Sequence, residues 1–189
     1  MMVRLLKLDH RILIIGPTRI MANQPPLEIV LSKFFKKDVE DYMRENPHQF
    51  EAILQLSITD EAPMCWRAAW IAQTFMEDDD PRIKPFIDSI LDVIPEKEDG
   101  HQRELIKILA NMELDEEQES ILYDECVTIW ESVRKKPATR YFAFQQMVKM
   151  VEKYPELIHE INAVTQPQHI NTLSPGVKNG VLRLIAQIS

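Results

Sequence analysis

The chain has 189 residues, with 30 carboxylates against 22 Lys and Arg and a formal net charge of −8. Four glycines are too few for the tight turns of a barrel, sandwich or dinucleotide fold, and an apolar content of 45% argues against disorder. The acidic balance argues against a nonspecific nucleic-acid binder, whose phosphate contacts need a basic footprint.

Residues 1–20 differ from the rest: Arg4, Lys7, Arg11 and Arg19 stand against a single acid, Asp9. Their apolar stretch, Ile12 to Ile15, is shorter than the core of a signal peptide and lacks a small-residue cleavage site. The expectation is a basic N-terminal extension or a mis-assigned start, with translation beginning at Met21. Residues 21–47 form a helical cap in this reading. Within it Val30, Phe34, Phe35, Val39 and Tyr42 share one broad apolar face, Lys36-Lys37 mark a candidate break, and Asn46-Pro47 end the element.

Residues 48–189 then read as paired helices: 48–58 with 63–76, 83–94 with 100–112, 116–133 with 137–153, and 155–166 with 175–188. Pro63, Pro81, Pro85, Pro137, Pro155 and Pro175 fall at or near helix starts, where a missing backbone donor costs little. Asp60, Asp80, Asp99, Asp115 and Ser174 are candidate caps. The second helices align as WRAAWIAQTF from Trp66, QRELIKILAN from Gln102, TRYFAFQQMV from Thr139 and VKNGVLRLIA from Val177. Each carries one cation in register, at Arg67, Arg103, Arg140 and Lys178, with spacings of 36, 37 and 38 residues. Repetition of a helix pair is the pattern of an α-solenoid, in which single units cannot bury their apolar faces but stacked ones share a core.

The stretch Asp60 to Ala72, DEAPMCWRAAWIA, resembles the HEAT-repeat family, or more loosely the HEAT/armadillo-like superhelices. It offers an acid in the turn, a proline, an Arg early in the second helix, and small residues where helices approach. The other units keep the basic position without the Ala-Ala pair. The resemblance implies an all-α, right-handed α-solenoid of about four HEAT-like antiparallel helix pairs. It implies protein interaction or scaffolding, through the concave face or a terminal repeat.

Candidate partner-binding residues are Trp66, Arg67, Trp70, Arg103, Arg140, Lys178 and Arg183. In HEAT proteins the recurrent Arg and the turn Asp form a ladder between repeats, which is the structural reading of Arg67, Arg103 and Arg140. The functional reading is a row of cations on the concave face, extended by Lys178 and Arg183, toward an acidic or phosphorylated partner. Trp66 and Trp70, four apart, share one helical face and suit either a binding hot spot or core packing. Trp66, Arg67, Trp70 and Asp60 also resemble the aromatic and acidic groove residues of AlkD-like DNA glycosylases. Such enzymes need a strongly cationic surface, and this chain has the opposite sign. A repair glycosylase or a structural or regulatory subunit of a complex are the alternatives.

The acidic runs 77–80 and 113–119 fall in turns 36 residues apart and are expected along one solvated edge. No catalytic, cofactor or metal residue is assigned. His159-Glu160 lacks the second His of a zinc-protease helix, because Ala163 stands at that position. Cys65 and Cys126 are expected as buried reduced thiols of a cytoplasmic protein. No run of apolar residues is long enough to span a membrane. Val181, Leu182, Leu184, Ile185 and Ile188 suggest an exposed terminal edge and, with it, a homodimer.

Overall fold

The computed structural model describes residues 26–33, 35–61 and 63–188, so the expectations for residues 1–20 lie outside the described residues. The described residues begin with two short helices, α1 (Leu27–Lys33) and α2 (Lys36–Glu45), so the expected break before Lys36-Lys37 is present. Val30, Leu31, Val39, Tyr42 and Met43 are their buried residues. Asn46 closes α2 by donating its side-chain amide to the Tyr42 carbonyl at 2.8 Å.

Among the described residues nine further α-helices follow, with short 3-10 turns between some of them: α3 (Phe50–Ser57), α4 (Met64–Phe75), α5 (Ile87–Val93), α6 (Asp99–Leu109), α7 (Glu116–Glu131), α8 (Pro137–Val151), α9 (Ile158–Val164), α10 (Pro167–Ile170) and α11 (Pro175–Ile188). No strand occurs among the described residues. The expected segments are all present, and α10 is an extra turn of helix inside the last connection. Prolines stand at the first or second position of α8 and α10, where the first backbone donors have no helical partner. Asp115 starts α7 through a capping box: the Gln118 amide N–H donates to its Oδ1 at 2.9 Å, and the Gln118 side chain accepts from the Asp115 N–H at 3.2 Å.

The helices stack as an all-α solenoid. α3 packs on α4 and α7 on α8, while α4, α6, α8 and α11 contact one another in unbroken succession. The helices preceding them form the other layer, in which α5 packs on α7. One apolar core runs between the layers from Val30 to Val181 and includes Phe50, Ile71, Leu105, Trp130 and Phe144. Trp130 lies fully buried against Phe144, with ring centroids 4.4 Å apart, and its Nε1–H donates to the Val164 carbonyl of α9 at 2.8 Å.

Polar bonds tie each unit to the next. Lys97, itself buried, extends its ammonium to Asp60 and donates to the Thr59 carbonyl at 2.8 Å. His101 is bonded to the Ser57 carbonyl at 2.7 Å. Asp99 accepts the Lys136 N–H at 2.5 Å, and the Asp99 carbonyl accepts the Thr139 hydroxyl at 2.8 Å. Asp60 and Asp99 are therefore not caps of their own helices, because each carboxylate is committed to the unit that follows. The two acidic runs meet through Asp79, which has a left-handed backbone with φ of 49°. Its N–H donates to the Asn111 carbonyl at 2.8 Å, and its carboxylate accepts the Glu113 N–H at 3.1 Å. Asp80 is buried and accepts the Arg82 guanidinium at 2.5 and 2.9 Å, which holds its carboxyl down at about 2.

Candidate functional site

Three consecutive second helices build one continuous surface. On α4 the sequence places Trp66, Trp70 and Gln73 at helical spacing, on α6 Arg103 and Lys107 with Ala110 at its C-cap, and on α8 Ala138, Phe142, Gln145 and Lys149. Two hollows of about 520 Å³ each open on this surface. The first lies at the N-terminal ends of the helices, where Trp66, Arg103 and Ala138 meet Asp60, Lys97 and Lys136 from the leading turns. The second lies further along, lined by Gln73, Lys107, Asn111, Phe142, Gln145 and Lys149 among others. None of the lining residues of this second hollow comes from the opposite layer.

Arg103 and Lys107 frame the boundary between the hollows. Glu104, buried, accepts from Arg103 Nε at 2.9 Å and from its terminal nitrogen at 2.7 Å, and its other oxygen accepts from Lys107 at 3.1 Å. Two cations thus share one carboxylate, and the triad retains a net positive charge. The Lys107 ammonium also stands 4.5 Å from the centre of the Phe142 ring. Lys149, exposed, donates to the Ala110 carbonyl that ends α6. The side-chain amides of Gln73, Asn111 and Gln145 make no hydrogen bond among the described residues.

The structure separates the cations that the repeat aligns. Arg67 is half-buried on α4. Arg103 lines the first hollow with its side chain 32% exposed. Arg140 is buried: its guanidinium donates to the Trp130 carbonyl at 2.7 Å, the Thr172 hydroxyl at 2.8 Å and the His169 carbonyl at 3.0 Å. It also faces the Trp130 ring at 4.9 Å. These bonds go to backbone and hydroxyl oxygen rather than to a turn Asp, and they help join the third unit to the fourth. Lys178 donates to Asn171 at 3.0 Å, and Arg183 is exposed on α11. Of the tryptophans, Trp66 stands 43% exposed in the first hollow, whereas Trp70 packs half-buried against the core.

Asp60 shares the first hollow with Trp66, and the Lys97 ammonium beside it holds its carboxyl below the usual carboxylate range. A carboxylate held in this way accepts a proton poorly. Burial lowers the pKa of His101, whose ring nitrogen is engaged by Ser57. Among the described residues no cluster of three His, Cys, Asp or Glu is placed to hold a metal ion, and no helix is long and apolar enough to cross a membrane. At the C-terminal edge Val181 is buried and Leu184, Ile185 and Ile188 pack against the core, leaving Leu182 as the large apolar side chain exposed there.

A family model described as a HEAT repeat domain matches residues 29–188. The chain belongs to the HEAT-repeat family. No curated protein and no solved structure matches it. HEAT repeats generally mediate protein–protein interaction or scaffolding, and the layered stack of helices is the form in which they do so.

The HEAT layers also differ in charge, a feature that no motif reveals. The first-layer helices α3, α5, α7 and α9 carry ten carboxylates and no Lys or Arg. The second-layer helices α4, α6, α8 and α11 carry seven Lys or Arg and two carboxylates, Asp99 and Glu104. Both of these acids are engaged by cations within the layer or its turns. Tabulating charge by alternate helix would have found this segregation in the sequence.

Proposed function

We propose that this HEAT-repeat chain is a protein-interaction module whose second-helix face receives a segment of a partner protein. The observation that carries the reading is the surface spanning α4, α6 and α8. It joins two hollows, offers a half-exposed Trp66, and presents three side-chain amides without partners among the described residues. A hollow that combines an aromatic anchor with amide groups suits a peptide, because the amides pair with main-chain donors and acceptors and the ring buries an apolar side chain. Two buried thiols, Cys65 and Cys126, suit a reducing compartment such as the cytoplasm.

The reading is tested by placing a photo-crosslinking phenylalanine analogue at Gln145 on this face, or at the exposed Thr128 of α7 on the other layer, in the chain expressed in its native host. Gln145 is expected to capture a defined protein and Thr128 is not. Capture from Thr128 with none from Gln145 would place the interaction on the opposite layer and end the proposal.

A further inference from the structure

The groove carries a sign as well as a shape, and the sign identifies the chemistry of its occupant. We propose that the second-helix face of this chain selects an acidic peptide segment of its partner, with Lys107 and Lys149 as the groups that receive the carboxylates. This inference rests on the groove reading above and adds the partner's charge to it.

The first observation is the segregation of charge between layers. On a chain of net charge −8, the layer that forms the groove is the one with an excess of Lys and Arg. The opposite layer, wholly acidic in its helices, repels an acidic segment and leaves the groove as the favoured approach. The second observation is the lining of the distal hollow. It contains two ammonium groups, three amides and the Phe142 ring, and no carboxylate. Glu104, the acid that Lys107 contacts, is buried and already shared between Arg103 and Lys107. An incoming carboxylate therefore meets Lys149 and the outer side of Lys107 without displacing an acid at the surface.

The proximal hollow has different chemistry. Asp60, Glu96 and Glu98 offset Lys97, Arg103 and Lys136 there, and Trp66 supplies an apolar wall. The groove thus pairs a neutral, apolar end with a cationic one. The matching segment has a hydrophobic side chain beside Trp66 and Asp or Glu further along. A nucleic acid fits less well. Its charge repeats along the whole strand, so one end would lie against Asp60, Glu96 and Glu98, and the acidic outer layer would add to the repulsion.

The test uses the purified full chain and four fluorescein-labelled probes. One is a twelve-residue peptide with two central leucines flanked by glutamates. Two more have Gln or Lys in place of each Glu, and the fourth is a twelve-nucleotide oligothymidylate. The Glu peptide is expected to bind by fluorescence anisotropy, with its Kd rising about tenfold between 50 and 300 mM NaCl. The Gln and Lys peptides are expected to bind at least tenfold more weakly. Lys149→Glu should weaken the Glu peptide about tenfold with the circular dichroism spectrum unchanged and melting at most slightly lowered, since within the chain it loses one exposed bond to the Ala110 carbonyl. Lys107→Gln should weaken it too, with the caution of a melting control because Lys107 contacts buried Glu104. Equal binding of the Glu and Gln peptides, or no binding of the Glu peptide, overturns the charge assignment. So does preferential binding of the oligonucleotide, or salt-sensitive self-association abolished by Lys149→Glu, which would make a second copy the occupant. Any of these alongside capture from Gln145 leaves the groove standing and removes only its preference for acid.

Discussion

Arg140 shows how a single side chain can hold two repeats together. Its guanidinium is buried and reaches acceptors on both sides of a unit boundary: the Trp130 carbonyl of α7, and Thr172 and the His169 carbonyl beyond α9. Arg140→Met keeps the apolar stem but removes the donor to the Trp130 carbonyl and Thr172 Oγ1 and leaves the His169 carbonyl with the Thr172 hydroxyl alone, at a cost of about 3 kcal/mol. For a chain of this length that corresponds to a fall in Tm of roughly 6–12 °C. Arg140→Lys should recover little, since one ammonium cannot span the fork. Thermal denaturation with peptide anisotropy on the same samples checks the prediction: melting falls and binding at the groove persists. A variant that melts like the parent but loses the peptide would move Arg140 into the binding surface. The sequence aligned Arg67, Arg103 and Arg140 as equals, because periodicity places a residue along its helix and says nothing of what the next unit lays over it. Arg140 is buried because α10 and the Thr172 turn follow it, whereas the connection in the second unit holds only the 3-10 turn Ile94–Glu96 and those of the first and third units hold no helical turn among the described residues.

α11 approaches α8 closely at Gly180. A methyl group added at Gly180 would sit 2.7 Å from Cε2 of Tyr141. In an open helix, replacing Gly by Ala stabilises by about 1 kcal/mol. Here the half-buried Tyr141 ring occupies the space, so Gly180→Ala is expected to destabilise by about 1 kcal/mol net. In a Tyr141→Ala background the sign should reverse, giving about 0.5–1 kcal/mol of stabilisation by urea denaturation. Destabilisation of equal size in both backgrounds would refute the contact. Element boundaries were legible because their signals are local: Pro137 opens α8, Asp115 caps α7, and Asn46-Pro47 end α2. Asp60 and Asp99 misled as caps for a complementary reason. Capping preference concerns the next three residues, whereas their carboxylates answer to Lys97 and to the start of α8, one unit away. The candidate site was legible in part. Trp66 and Arg103 follow from the repeat, but Lys107, Phe142 and Lys149 carry no motif and come together only when α6 and α8 lie side by side.

Across the whole molecule, burial is greatest in the middle of the stack. α8 alone contributes nine buried residues, whereas α1 and α9 contribute two each and α11 contributes Val181. In a solenoid each unit is supported by its neighbours, so local opening should begin at the ends. Amide hydrogen exchange is expected to be slowest in α4, α6 and α8, and faster in α1, α9 and α10. Uniform protection along the chain would show that the units open together. The bonds that join the units have a further consequence for how such a chain can change length. Lys97 reaches Asp60 and the Lys136 amide reaches Asp99 across 37 positions, and Lys149 reaches Ala110 across 39. Each donor finds its acceptor one repeat back, so copying a whole repeat would recreate every junction. Inserting a single helical turn within a repeat would leave the junctions on either side out of step. Growth or shrinkage of this protein is therefore quantised in steps of about 37 residues, and intermediate lengths carry broken junctions.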